Sequence, residues 1–289
     1  MSTLLFYEHP IVLNSETHRN LKIKPSGEGL KFSRKTNSVL LAGVEFPEAC
    51  KHFPIVFSKV AEQQVLPVAL LGFRDLENLF VDAGGQWKSE YVPAYIRRYP
   101  FVLAKADAGP QLTVCIDESY PAFSADEGQR LFDDKGEATD YLKGVLAFLQ
   151  DYQTQIERTD IFLKTLRELD LLMDVAANVN LQSGQRYSMV GLMMVDERKL
   201  QALPEAQILR LFRSGELAWV YSHLFSISNF NRMLSKALAT DVAIPTDVAI
   251  PEKASLVHKA APDDVASAPG KAPSATSKTQ VQSQKSTKK

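Results

Sequence analysis

The stretch of this sequence best equipped for chemistry spans residues 66–101 and reads LPVALLGFRDLENLFVDAGGQWKSEYVPAYIRRYPF. It sets two adjacent arginines among aromatic side chains. An arginine guanidinium is a planar donor that suits carboxylate or phosphate groups and stacks on aromatic rings. We therefore predict an aromatic-rimmed pocket for an anionic small molecule or a peptide carboxylate. Its candidate ligand-binding residues are Trp87, Tyr91, Tyr95, Arg97 and Arg98.

A purely structural role for the same block is the alternative. The aromatic rings could be core, and one arginine could pair with a nearby acid, namely Asp75, Glu77 or Asp82. A lone buried charge is costly, and neighbouring helical residues point about 100° apart. We therefore expect an acid to hold one arginine while the other faces a concave surface rimmed by tyrosine.

His223 is the candidate catalytic residue, in the segment WVYSHLFSISNFN. Helical spacing would place Trp219, His223 and Ser226 on one face. A serine–histidine pair could support a hydrolase- or transferase-like enzyme acting on a peptide or amino-acid-like substrate. The competing interpretation is a packed histidine bonded to a backbone carbonyl. The sequence has no phosphate-binding loop, GxSxG, HExxH or SxxK motif. A non-enzymatic protein is therefore the first hypothesis and the enzyme the second.

Composition argues against several other functions. The five histidines and two cysteines have no metal-ligand spacing, so we predict no metal and no cofactor. A net charge of −1 provides no field that would gather nucleic acid. No apolar run approaches the ~20 residues of a membrane span, and the first 13 residues lack a basic signal-peptide segment. We predict a cytoplasmic protein with free thiols, and non-classical export to the cell surface is the alternative.

The elements that must position these residues indicate an α+β fold with mostly antiparallel sheets. Residues 1–120 are β-rich, and Asp82 to Gly85 forms a turn before Trp87. Pro93 is expected to start a short helix over 94–99, which Pro100 ends. The short apolar runs that predict strands are 39–44, 54–57, 68–73, 79–81, 101–104 and 112–116.

The later part of the chain is mostly helical. An apolar stripe from Leu142 to Met173 predicts two helices or one kinked helix, because Thr159 and Asp160 interrupt it. A hairpin follows, with strands over 175–181 and 187–195. Pro204 should begin a helix that Gly215 follows. Two more short helices are expected over 218–225 and 230–238.

Composition changes after Ala239. Residues 240–289 contain no Phe, Trp or Tyr, and they hold seven Lys against five Asp or Glu. Such a segment buries too little surface to offset its ordering entropy. We predict a single α+β body over 1–239 and a disordered tail over 240–289. The tail opens with the tandem repeat TDVAIP-TDVAIP, either a spacer or a docking motif present twice.

The sequence resembles the bacterial SapC family over residues 4–235. The likeness is carried by LPVALLGFRDLENLFVDAGGQW, YVPAYIRRYPF, GLMMVDERKLQAL and HLFSISNF. The resemblance implies a soluble accessory or binding protein with a protein partner, and the family name comes from a bacterial surface layer. Similar proteins are encoded in Gram-negative bacteria near halogenase-like proteins and outer-membrane receptors. A peptide-transport permease shares the name, but this chain has no spanning segment that would make it one. The family supplies no established catalytic residues.

Overall fold

The computed structural model describes residues 5–61, 64–105, 112–181, 186–241 and 245–249. Its strands are β1 (Pro10–Val12), β2 (Lys22–Ile23), β3 (Ser38–Leu40), β4 (Ile55–Ala61), β5 (Gln64–Leu70), β6 (Phe101–Lys105), β7 (Leu112–Asp117), β8 (Phe123–Ser124), β9 (Gln129–Arg130), β10 (Leu172–Leu181), β11 (Arg186–Val195) and β12 (Pro245–Ala249). Its helices are α1 (Phe46–Ala49), α2 (Ala94–Arg97), α3 (Asp140–Glu168), α4 (Glu197–Gln201), α5 (Glu205–Ser214), α6 (Glu216–Ser226) and α7 (Asn229–Asp241).

The strands form three sheets. The largest has the order β12-β10-β11-β4-β5-β3, and two three-stranded sheets have the orders β1-β7-β6 and β8-β2-β9. Every strand pair in the described residues is antiparallel. The predicted α+β class is therefore confirmed. Two predicted strands differ from the structure: the run over 39–44 is a strand only to Leu40, because Gly43–Glu45 is a 3-10 helix, and the run over 79–81 forms no strand. Only Val81 pairs, through an isolated bridge to Trp87, because Asn78 bonds the Phe80 N–H through its own side chain.

Of the two alternatives for the long helical segment, two separate helices is wrong, since α3 runs unbroken through 29 residues. The Thr159 hydroxyl donates to the Gln155 carbonyl at 2.6 Å, one turn earlier, rather than capping a new helix. The same hydroxyl accepts the Gly43 N–H at 2.8 Å. The polar residue that interrupts the apolar stripe therefore bonds a segment that is 116 residues away in sequence.

The C-terminal helices follow their local signals. Helix α5 begins after Pro204 and ends at Gly215, whose φ of +80° is the left-handed conformation that glycine adopts readily. The hairpin β10–β11 has the predicted arrangement, and its turn lies outside the described residues. Helix α2 is shorter than predicted and ends at Arg97. Five residues of the predicted tail form β12, beside β10, and the tail beyond 249 lies outside the described residues.

The main core lies between the six-stranded sheet and the helices. Its largest fully buried rings are Phe46, Phe53, Phe57 and Phe162, and Trp219 packs edge-on against Phe162 with ring centroids 5.3 Å apart. Both cysteines are free. Among the described residues, none of the helices has the length and apolar character needed to cross a bilayer.

Candidate anion-binding site

The turn before Trp87 is the first element that positions the candidate binding residues. Gly85 has a φ of +85°, and a Cβ placed on it would lie 1.9 Å from the Glu28 carbonyl oxygen. Only glycine fits this backbone without strain. The turn lets Trp87 pack on Phe80, and the indole Nε1 donates to the Tyr91 carbonyl at 2.8 Å. Trp87 therefore fixes the start of the segment that carries the arginines.

Glu45 holds the next part of this segment. One of its carboxylate oxygens accepts the Tyr91 hydroxyl and the Ala94 N–H, both at 2.7 Å, and the other accepts the Ala42 N–H at 2.9 Å. Ala94 is the first residue of α2, so the carboxylate anchors the helix from which Arg97 and Arg98 project. Burial raises the pKa of the Glu45 carboxyl, although these three hydrogen bonds act in the opposite direction. Sequence reasoning missed Glu45, because nothing in its local pattern marks it.

Arg97 is exposed and lies against two aromatic rings. Its Nε donates to the Val92 carbonyl at 3.0 Å. The guanidinium carbon is 5.2 Å from the ring centroid of Phe148 on α3 and 6.0 Å from that of Tyr91. The backbone and these rings thus restrict the side chain while leaving its charge at the surface.

Arg98 is half-buried and lies among tyrosines. Its guanidinium carbon is 3.9 Å from the ring centroid of Tyr95, 5.6 Å from that of Tyr152 and 5.9 Å from that of Tyr7. Such stacking stabilises a cation without neutralising it. Within the described residues, the buried Arg98 Nε and the buried Tyr152 hydroxyl have no hydrogen-bond partner.

The expected acidic partner of the arginine pair is not found. Among the described residues, no carboxylate forms an ion pair with Arg97 or Arg98. Glu77 lies beside Arg74 at 3.7 Å, and Asp82 pairs with Lys88 at 2.9 Å. Asp75 accepts a bond from the Asn37 amide. Aromatic faces and a backbone carbonyl contact the two guanidinium groups, and the buried Glu45 carboxylate interacts with Arg97 electrostatically without forming an ion pair.

Both arginines line a cleft of about 470 Å³. Lys24 adds a third cation, and the described residues that line the cleft include no aspartate or glutamate. Trp87, Tyr91 and Tyr95 are absent from the lining and support the arginines from behind. The aromatic lining comes instead from Tyr99, Phe101, Tyr120, Tyr141 and Phe148. Tyr120 and Tyr141 escaped prediction because they are distant in sequence from the arginine pair and no local motif links them to it.

Asp117 holds the wall of this cleft. Its carboxylate accepts the Tyr99 hydroxyl at 3.0 Å, the Glu8 and His9 N–H groups at 3.0 Å each, and the Ser119 hydroxyl at 2.7 Å. Burial alone would raise the pKa of the Asp117 carboxyl, but these hydrogen bonds outweigh burial and lower it. The wall therefore rests on an ionised carboxylate.

A neighbouring cleft of about 580 Å³ shares Ser26, Tyr99 and Tyr120 with the first. Its lining carries both Glu8 and Glu28 and both Lys31 and Lys35. Because these opposite charges offset each other, this neighbouring cleft attracts anions less strongly than the cleft lined by Arg97 and Arg98, which we call the arginine cleft.

His223 occupies a different place, in the core. The ring is fully buried, with Nε2 accepting the Val195 N–H at 3.0 Å and Nδ1 donating to the Ile55 carbonyl at 2.8 Å. Burial lowers the pKa of the imidazole to about 4, although the bond to Ile55 acts in the opposite direction. The Ser226 hydroxyl donates to the His223 carbonyl and accepts the Ile55 N–H, so its hydrogen bonds are made to the backbone rather than to the ring. In this geometry both ring nitrogens are occupied by backbone groups, and neither can activate a hydroxyl.

His223 joins strands β4 and β11 at the point where their pairing ends. Strands β4 and β11 pair at Leu192 with Ser58 and at Met193 with Phe57. Extending this register by two residues would set Val195 opposite Ile55, and these are the two residues that the imidazole joins. The ring therefore takes the place of a direct backbone hydrogen bond where the two strands separate.

Comparison with known proteins gives one result. No curated protein and no solved structure matches the chain significantly. The family model described as SapC matches residues 13–233, which include the Gly85 turn, Glu45, both arginines and all residues that line the arginine cleft. Because this match covers most of the chain, the protein belongs to the SapC family.

Proposed function

We propose that this SapC protein is an accessory binding protein that holds an anionic small molecule or a peptide carboxylate between Arg97, Arg98 and Lys24. One observation carries the proposal. Three cations line a cleft of about 470 Å³ whose lining contains no carboxylate. In a chain with a net charge of −1, such local separation of charge favours an anionic ligand.

The arginines are prepared for this role. Tyr95 stacks on Arg98, and Phe148 and Tyr91 flank Arg97, so ligand binding would restrict few additional rotamers. Because no carboxylate in the described part of the chain forms an ion pair with them, both guanidinium groups can pair with a ligand in the bidentate manner that suits carboxylate and phosphate. The tyrosine wall adds apolar area for the rest of the ligand.

The cleft supports binding rather than catalysis. Its described lining contains no histidine, cysteine, aspartate or glutamate that could serve as a general base, and burial raises the pKa of its Tyr99, Tyr120 and Tyr141 hydroxyls, which makes them poor bases at neutral pH. The candidate catalytic His223 is enclosed in the core and is not among the lining residues. No described feature favours the enzyme alternative over binding.

Calorimetric titration with succinate, inorganic phosphate and N-acetylphenylalanine tests the ligand class. Arg97→Gln should leave folding intact, because the side chain is exposed, and should weaken binding about fivefold, the value of one charge pair near 4 Å in water. Arg98→Lys should retain part of the affinity that Arg98→Gln loses, since the charge remains but the planar fork does not. Arg213→Gln is the matched control, because Arg213 is an exposed helical arginine outside this cleft. Binding of none of the three probes, or unchanged binding to Arg97→Gln, would refute the ligand proposal.

The accessory role implies a protein partner, which we propose to be envelope-linked or biosynthetic. Affinity capture with the full-length chain from the native host, followed by cell fractionation, tests this part. We expect a specific partner that the chain retains through washing. Recovery of no partner, together with turnover of a small molecule by the purified chain, would contradict the accessory role.

A further inference from the structure

A second basic cleft lies on another part of the molecule. It has a volume of about 340 Å³ and shares no lining residue with the arginine cleft. Four cations contribute to it, namely Lys51, Lys88, Arg232 and Lys236. Glu90 is the one acid among its lining residues. The cations come from three separate segments, so their convergence is a product of the fold.

Lys88 is placed by the same turn that places Trp87. Its N–H donates to the Phe80 carbonyl at 2.8 Å, which fixes the backbone at the edge of the cleft. Its ammonium pairs with Asp82 at 2.9 Å, and Lys51 pairs with Glu48 at 2.7 Å. Both lysine side chains are about half exposed, at 46% and 56%, so these pairs are weak and water competes with them.

Helix α7 supplies the other two cations. Arg232 and Lys236 are four residues apart and therefore lie on one face, where like charges repel. Arg232 donates to the Lys51 carbonyl at 3.3 Å, which ties α7 to the segment after α1. The Lys236 ammonium lies 5.1 Å from the ring centroid of Phe80, at the base of the cleft. Helix α7 thus brings both side chains to the lining of the same cleft as Lys51 and Lys88.

We propose that this cleft binds a small multivalent oxyanion, such as a polycarboxylate or a phosphate ester. A multivalent anion carries enough charge to pair with several of the four cations in the lining at once, which a single carboxylate does not. The buried side chains of Phe80 and Met233 close the base, and the volume limits the ligand to a small molecule. The inference is independent of the proposed function at Arg97 and Arg98.

Calorimetry with pyrophosphate and with citrate, at constant ionic strength set by chloride, tests the proposal. The double variant Lys88→Gln/Arg232→Gln should weaken binding about 25-fold, because each removed charge is worth a factor of about five. Lys88→Arg keeps the charge and should bind within about twofold of the wild type. Added salt should weaken the interaction, as for any exposed charge pair. Preference for one probe over the other distinguishes a phosphate from a carboxylate ligand.

Two control variants separate this site from the arginine cleft and from general charge effects. In the Arg97→Gln background, which weakens the arginine cleft, the double variant should still lose about 25-fold in affinity, whereas Arg213→Gln in that background should not change binding of either probe. The proposal is overturned if neither probe binds at millimolar concentration, or if the double variant binds like the wild type. It is also overturned if Arg97→Gln abolishes binding, because the anion would then occupy the arginine cleft. Circular dichroism of each variant confirms that the fold is retained.

Discussion

Acidification should lower the free energy of unfolding of this protein through His223. The neutral ring accepts the Val195 N–H at Nε2 and donates to the Ile55 carbonyl from Nδ1. A proton added at Nε2 would turn that acceptor into a donor facing another donor, in a fully buried position. Acid should therefore lower the free energy of unfolding, because the unfolded imidazole takes up a proton that the folded ring does not accept until the pH is much lower.

The loss of stability follows from the difference between the pKa of the imidazole in the folded chain and its pKa in the unfolded chain. Burial lowers the pKa of the folded-state imidazole from 6.5 to about 4. The unfolded chain therefore binds more protons than the folded chain between these values, so stability is full above pH 6.5 and falls as pH falls toward 4. The loss from this group should be about 2 kcal/mol between about pH 7.5 and about pH 5, and about 3 kcal/mol below the folded-state pKa.

Urea unfolding of the wild type and of His223→Gln at both pH values measures this effect. The glutamine variant should be less stable at neutral pH, because it cannot satisfy both backbone groups in the same geometry. It should lack the His223 contribution to the pH dependence, so the stability gap between the two proteins should shrink by about 2 kcal/mol at the lower pH. Carboxyl groups titrate in both proteins and cancel in the difference. An equal pH dependence in the two proteins, or an NMR titration of His223 near its ordinary pKa, would refute the reasoning.

Two further predictions use matched neighbours in the supports of the arginine cleft. Gly85→Ala should cost at least about 2 kcal/mol, because it forces a side chain into a left-handed backbone and against the Glu28 carbonyl, whereas Gly84→Ala should stay within about 0.5 kcal/mol. Equal melting temperatures of these two variants would contradict that assignment. Glu45→Ala should cost about 3 kcal/mol because it leaves three donors unpaired, whereas Glu48→Ala removes only an exposed pair and should cost no more than about 1 kcal/mol, both measured by urea unfolding. If Glu45→Ala is as stable as Glu48→Ala, the carboxylate does not anchor α2.

Local signals were sufficient for much of the fold. Pro204 and Gly215 bound α5, and the Asp82 to Gly85 turn lies where its residues indicate, because each depends on backbone conformations that few residue types favour. Local sequence signals do not predict that α3 is continuous. Thr159 is compatible with a helix start or a helix interior, and the Gly43 N–H that it meets is 116 residues away in sequence.

The candidate site was predictable only in part. Arg97 and Arg98 stand out because a charged pair among aromatics is a local pattern. Tyr120 and Tyr141 come from other segments, and their approach to the arginines depends on how α3 and the small sheets pack. Glu45 is an ordinary acid in sequence and becomes distinctive only through its three buried hydrogen bonds. Its role follows from tertiary structure alone.

The way in which β4 meets β11 also bears on the order of folding. The hairpins β4–β5 and β10–β11 join segments close in sequence, and such hairpins form within microseconds. The bond between His223 and Ile55 spans 168 residues and needs α6 to be in place. Closing so long a loop has a large entropic cost before any contact repays it. We therefore expect the two hairpins to form early and separately, and their union through the imidazole to belong to the last and slowest step.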